Sequence, residues 1–385
     1  MNINYKEIVR LEKIVEKNIP ANFEKVSDQY LNSINNWIDF IYYETIKLSD
    51  YETDKANLEK GLSISKNAIF ICGAARSGTT FYKNLISGNK EIFSLHTEIG
   101  FARNFWKQKT NENFKKTVLK YYFYGLVKGG INIKTFIFGR SNENYSPYVE
   151  FTRYFFTWFK IIKEKNIHEL SALALAHISF LGNGKIDSNI KYWLDKTPFS
   201  ELFLKNIFLY YPDAKIIMLY RNPINVYASL KKITSNIDVF TKKQENLILI
   251  NLYKSHKLIS EIKYEKQKNV FLVKYENLLK NKEEIQKQIA EFLNIKYDEI
   301  MISSFSENMI SDTNSSFSTQ TAQKNKLKLL SDYDKKRISV IFKNTSKKLA
   351  YSLENVNLFD KITIKSQFCF QNMVLKIKEI IKKCL

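Results

Sequence analysis

The chain has 385 residues, 44% of them hydrophobic and 14% aromatic, which is ample for a buried core and excludes a disordered polymer. Sixty Lys plus Arg against 39 Asp plus Glu give a formal charge of +21, which favours anionic partners such as nucleotides, nucleic acid, membrane surface or acidic glycans. Three cysteines, Cys72, Cys369 and Cys384, have neither the number nor the spacing of a disulfide framework or a zinc cluster, and fit a reducing compartment.

Met1 to Lys17 alternate charged and apolar types, so no cleavable secretory signal is expected, and no stretch approaches the roughly 20 apolar residues of a membrane span. The chain is expected to be soluble and cytoplasmic. With 11 Gly, 5 Pro and no internal repeat, it reads as a helical prefix over residues 1–65, one main domain over 66–352 and a basic amphipathic tail over 353–385. In the prefix, Ile8, Leu11, Ile14 and Val15 recur at helical spacing.

Ala68 to Cys72 is a short apolar run rich in β-formers, as a strand buried on both faces of a parallel sheet requires. Similar runs are Tyr192 to Leu194, Ala214 to Tyr220 and Val270 to Tyr275. Between them lie helical patterns at Thr80 to Ser87, Tyr148 to Ile162, Ser200 to Tyr211, Pro223 to Lys232 and Lys242 to Lys266. This alternation predicts an α/β, P-loop-type three-layer fold with a central parallel sheet flanked by helices, and ligands at the carboxyl ends of the strands. Tyr148, Phe151, Phe155, Trp158, Phe159 and Ile162 form an aromatic stripe that reads as core in preference to an acceptor channel. Ser303 to Gln323 is dense in Ser, Thr and Asn and reads as a loop, and helical patterning resumes near Tyr333. From Val374 to Leu385, Leu375, Ile377, Ile380, Ile381 and Leu385 interleave with Lys376, Lys378, Lys382 and Lys383, a pattern shared by ordinary surface helices and by helices on an anionic membrane surface.

Two segments carry chemistry. After the first strand, Gly73-Ala74-Ala75-Arg76-Ser77-Gly78-Thr79-Thr80 places glycines five apart before a helix, the frame in which backbone N–H groups cradle an anion. A nucleotidase needs Lys after the second glycine; here Thr79 stands there and the cation is Arg76, three positions earlier. The run Ala214 to Tyr220 ends in Arg221-Asn222-Pro223 where a nucleotidase would carry a metal-holding Asp. Ser229 follows eight residues on and would approach the same anion if the helix starts late. Arg221 suits a bidentate phosphate contact and Ser229 a single one.

Together, Arg76 to Thr80 and Arg221-Asn222-Pro223 with Ser229 resemble the two cofactor motifs of the sulfotransferases that use 3′-phosphoadenosine 5′-phosphosulfate (PAPS). The resemblance extends through Asp195-Lys196-Thr197-Pro198 and Val273 to Leu278, and covers roughly Asn67 to Leu293. It implies that Ser77, Gly78, Thr79 and Thr80 hold the 5′-phosphate, that Arg221 and Ser229 hold the 3′-phosphate, and that Arg76 sits beside the bridging oxygen. Lys196 would lie by the sulfuryl group or the acceptor, Tyr275 by the adenine or in the core, and Ser315, Lys324 or Lys326 in a loop closing over the cofactor. The base in this family is a His or Glu shortly after the second strand; Glu98 fits best and His96 is the alternative. Relatives with tyrosine or glycan acceptors often carry Arg at the place of Arg76, which points to a glycan, glycolipid or other cell-surface acceptor. The product would be adenosine 3′,5′-bisphosphate (PAP).

Two rival readings are a P-loop kinase or nucleotidase, which lacks its Lys and Asp here, and a protein binding nucleic acid or an anionic membrane. The aromatic-basic signature of an RNA-binding sheet is absent, so nucleic acid is not expected. His96, His168, His177 and His256 are scattered, and no metal site is expected.

Overall fold

The structure, a computed structural model, describes residues 2–19, 27–98, 112–128, 138–165, 167–234, 242–262, 268–299 and 326–384. Three helices come first: α1 (Tyr5–Lys17), α2 (Asp28–Thr45) and α3 (Lys55–Lys66). Ser27 and Asp54 cap the second and third by accepting from the N–H three residues on, which satisfies donors that the first helical turn leaves unpaired. Strand β1 (Ala68–Gly73) follows, then α4 (Thr79–Ile86), β2 (Ile92–Ser94), α5 (Glu112–Lys128), α6 (Pro147–Glu164), α7 (Ser171–Leu181) and β3 (Tyr192–Lys196). A 3-10 turn, Ser200–Phe203, leads into α8 (Leu204–Tyr210), so the helix expected over this stretch is in two parts. Next come β4 (Lys215–Tyr220), α9 (Pro223–Thr234), α10 (Lys242–Glu261), β5 (Val270–Lys274), α11 (Tyr275–Lys280) and α12 (Lys282–Leu293). The chain closes with α13 (Asp332–Lys348), which starts at a Ser331–Asp334 capping box, and α14 (Leu358–Cys384).

The five strands form one all-parallel sheet in the order β2-β3-β1-β4-β5. Because side chains alternate across a strand, Phe70 and Cys72 of β1 enter one core with Trp193, Ile216 and Met218, while Ile69 and Ile71 enter another with Leu194, Ile217 and Leu219. Helices cover both faces, α4 and α12 on the second and α2, α6 and α7 on the first, which gives the expected three layers. Helices α1 to α3 contribute Ile8, Val15, Ile34, Trp37 and Ile64 to the first core, so the prefix packs against the sheet's own residues. The aromatic stripe of α6 is buried there, with the Trp158 Nε1–H donating to Ser179 Oγ at 2.8 Å, so it is core and not an acceptor channel. A third cluster joins α9, α10 and α13 through Val226, Leu249, Leu252 and Phe342.

Four of the strands lie where the apolar runs placed them. Strand β2 is three residues at the sheet's edge, and sequence reasoning did not mark it. The segment from Ser303 to Gln323 lies outside the described residues. No described helix is long and apolar enough to cross a membrane.

Candidate functional site

Parallel register brings the carboxyl ends of all five strands to one edge of the sheet, with Ile71 beside Lys196, Gly73 beside Leu219 and Tyr220 beside Lys274. Each strand end delivers a candidate residue: His96 and Glu98 after β2, Lys196 at the end of β3, the phosphate loop after β1, Arg221 after β4 and Tyr275 after β5.

The loop between β1 and α4 is tightly determined. The Gly73 N–H donates to Glu201 Oε2 at 2.8 Å, and its carbonyl accepts from the Phe199 N–H at 2.9 Å. Ser77 donates through both its N–H and its hydroxyl to the Ala74 carbonyl, at 3.0 and 2.6 Å. Gly78 has φ of +103°, and a Cβ there would sit 2.4 Å from the Tyr275 ring, so both backbone and space demand glycine. Gly78 is also the N-cap of α4 and supplies no side-chain acceptor to the helix's first N–H groups, an arrangement suited to an anion. Thr79 is buried and Thr80 exposed at this end. Arg76 adopts φ of +70°, a left-handed conformation that costs a non-glycine residue about 1–2 kcal/mol.

That turn sends the Arg76 side chain towards α9, where its Nε–H donates to Ser229 Oγ at 3.2 Å. Helix α9 starts directly at Pro223 and not late, so Ser229 lies about two turns in; it meets the loop because the helix runs past Arg76. Arg221 Nη1 donates to the Arg76 carbonyl at 3.3 Å, and its guanidinium lies 4.3 Å from the centroid of the Tyr275 ring, a cation–π contact. Arg221 is buried and, among the described residues, its Nε has no hydrogen-bond partner. His256 Nε2 contacts the Arg221 carbonyl at 3.0 Å, and Glu276 accepts from the Asn222 N–H at 3.1 Å and from the Tyr351 hydroxyl at 2.6 Å, which fixes the turn after β4. Lys326 completes the group: burial, then Arg221, Arg76 and Lys232, push its pKa down. Burial and then Arg221 likewise lower that of Arg76. Cations gathered at mutual cost, with an orphaned buried guanidinium N–H among them, make a site for a multiply charged anion.

A second group lies at the ends of β2 and β3. Lys196, buried, ion-pairs with Glu98, whose side chain is 50% exposed. His96 stacks on His177 with ring centroids 4.5 Å apart; desolvation of its ring and the amine of Lys83 lower its pKa, although part of the residue is open to solvent. His177 in turn contacts the Tyr122 hydroxyl at 2.8 Å through Nδ1, and burial takes its pKa down to about 3.

Sequence reasoning missed Lys83. It projects from α4 and donates to the Leu95 carbonyl at the exit of β2, and burial followed by Lys196 takes its pKa down to about 8. Its position four residues after Thr79, on the same face one helical turn along, was the available signal. The sequence candidates thus fall into two groups, one at the ends of β1, β4 and β5 and one at the ends of β2 and β3. Arg76, Arg221, Ser229, Tyr275 and Lys326 are brought together around the loop, and Glu98, Lys196 and His96 beyond it. Ser315 and Lys324 lie outside the described residues. Among those residues, no group of His, Cys, Asp and Glu is arranged to hold a metal ion.

Residues 68–299 match the model of the sulfotransferase family. Among solved structures, the chain is similar to sulfotransferase STF9 from Mycobacterium avium, at 11% identity over 92% of this chain and 94% of that one, with a TM-score of 0.48. Sulfotransferase STF1 from Mycobacterium tuberculosis shares 12% identity over 85% and 92% with a TM-score of 0.39. The sulfotransferase domain of the Synechococcus PCC 7002 olefin synthase shares 16% over 79% and 94%, with a TM-score of 0.38. A search of curated proteins gives no significant match. The family model spans well over half of the chain and takes in both the phosphate loop and Arg221, and the chain therefore belongs to the sulfotransferase family.

Proposed function

We propose that the enzyme takes PAPS as sulfuryl donor and passes the group to a hydroxyl of a glycan, glycolipid or related cell-surface acceptor. The observation that carries the donor assignment is the gathering of Arg221, Lys326 and Ser229 around Arg76, with the Arg221 Nε–H unsatisfied among the described residues. Arg221, Ser229 and Lys326 suit a terminal phosphate dianion, the donor's 3′-phosphate, and Arg76 lies between them and the loop amides. The Gly78 to Thr80 end of α4 suits its 5′-phosphate, and the Tyr275 ring is a candidate wall for the adenine. Residues 66–352 would form the catalytic domain.

The donor supplies the sulfuryl group and leaves as PAP. The residues of the chain do the rest. Glu98 accepts the acceptor's hydroxyl proton while the hydroxyl oxygen bonds to sulfur and the bond from sulfur to the bridging oxygen breaks, its electron pair staying with the departing phosphate. Lys196 orients Glu98, and Lys196 with Arg76 and the loop amides faces the charge that develops on the transferring and leaving oxygens; one such preorganised donor contributes about 3 kcal/mol. His96 is the alternative base. The Arg76-containing loop favours a glycan-type acceptor by family resemblance, and the +21 charge with the basic tail suits work beside an anionic surface in the cytoplasm.

Titration calorimetry with PAP against adenosine triphosphate tests the donor assignment. Binding of PAP with a clear preference over the triphosphate is expected. Preference for the triphosphate, or binding of neither, would overturn it. A screen of glycans, lipids and peptides with labelled donor then identifies the acceptor.

A further inference from the structure

A cavity of about 520 Å³ lies between α10, α13 and α14, remote in sequence from the phosphate loop. Its wall carries Lys257, Lys343, Lys361 and Lys365 against one carboxylate, Glu354. Also lining it are Ser339, 2% exposed, and Asn372; the Ser339 Oγ and the Asn372 Oδ1 are buried without hydrogen-bond partners among the described residues. Buried polar atoms normally find a partner, so these two point to a polar occupant. The lysines and the Ser339 hydroxyl, all donors, make that occupant an anion, and the Asn372 Oδ1, an acceptor, calls for a donor group on the same molecule.

Helix α14, which forms one side of this cavity, has two apolar faces. Ile364 and Phe368 are buried towards α13. Leu358, Phe359, Ile362, Phe370, Met373 and Ile377 are 47–78% exposed. At 100° per residue these six fall within an arc of roughly 120°, the width of a complete amphipathic face, and none of the described residues covers it. A continuous apolar stripe of this size marks an interaction surface.

Charge selects the occupant. A second copy of the chain would bring another +21 molecule against the same lysines, and a nucleic acid offers nothing to six large aliphatic and aromatic side chains. An anionic bilayer satisfies both halves. We infer that α14 lies in the plane of an anionic phospholipid surface, its exposed stripe in the acyl boundary and a headgroup phosphate in the lysine cavity. This deepens the anionic-surface reading of the tail and does not depend on sulfuryl transfer.

The test is co-sedimentation of the full chain with phosphatidylcholine vesicles, with and without phosphatidylglycerol, at low and high salt, with PAP binding measured on every variant. The wild type is expected to partition at least about tenfold more onto the anionic vesicles, and less at high salt. F359S/I362S/F370S should lose vesicle binding, and K361E/K365E should lose the anionic preference, both keeping PAP affinity. Equal partition onto both vesicle types overturns the inference, as does vesicle binding undiminished in the triple variant. Binding of inorganic phosphate without vesicle binding overturns it too, as does a dimer that the triple variant abolishes. PAP binding without vesicle binding sinks this inference alone, whereas vesicle binding without PAP binding sinks the donor assignment alone.

Discussion

The Nε–H of Arg76, in the phosphate loop, donates to the Oγ of Ser229, two turns into α9 and 153 residues away, across 3.2 Å. The loop for one end of the donor is thereby tied to the helix proposed for the other end. A site held in place before the ligand arrives spends less affinity on ordering itself. Ser229→Ala is expected to weaken PAP binding about fivefold to tenfold, the net worth of one ordinary hydrogen bond, while turnover at saturating donor falls little. Arg221→Met should cost more, about a hundredfold, and flatten the salt dependence of binding. Calorimetry at two ionic strengths with initial rates checks both; equal PAP affinity in all three proteins would remove Ser229 and Arg221 from the site.

Glu98→Gln should bind PAP as the wild type does and lose at least about a hundredfold in turnover, because the amide keeps the shape of the carboxylate without its proton affinity. His96→Asn should retain most of its rate. Single-turnover measurements with labelled donor decide between them, and the reverse outcome assigns the base to His96.

At Gly78, the Tyr275 ring and φ of +103° both exclude a side chain. Gly78→Ala is expected to lose about 2–4 kcal/mol of stability and most PAP binding. Adding Tyr275→Leu should recover part of the stability by freeing space, and not the part due to the backbone. Urea unfolding of the two variants measures the split; full recovery in the double variant would mean that the backbone conformation is not costly.

How much of this was legible follows from what each element displays in sequence. Strands β1, β3 and β4 are largely buried and β5, at a sheet edge, is half-buried, yet each carries a short apolar run, and the glycine frame with Arg221 needs only local spacing to be seen. Strand β2 has three residues, Ile92–Ser94, too few for any periodicity, so the segment carrying His96 and Glu98 had no strand to anchor it. Lys83 and Lys326 reach the site through packing: one by its turn of α4, the other by its approach to Arg221, and neither belongs to a motif. The contact of Ser229 with Arg76 depends on how α9 crosses the loop, which no spacing rule gives.

The amine of Lys83, held near pKa 8 against an ordinary 10.5, gives a pH signature. Between these values the unfolded chain binds more protons than the folded one, so this group's contribution makes stability rise with pH across that window. Lys83→Met should remove that rise and be about 1–3 kcal/mol more stable than the wild type near pH 7, the full shift being discounted for the partly open position. The variant should also turn over more slowly, since the Leu95 carbonyl loses its tether to α4. Urea unfolding from pH 7 to 10 tests this, and parallel stability curves for the two proteins would contradict it.

Strand β2 is both the margin of the sheet and the tether of Glu98. A three-residue margin has one neighbour, β3, and few ladder bonds to lose, so it belongs to the part of a fold that opens first. With Glu98 as the proposed base, the enzyme would go silent on gentle warming before its buried tryptophans report unfolding, and return on cooling. Its catalytic lifetime would be set by the strength of one short strand, and the survival of its global fold by the rest of the sheet.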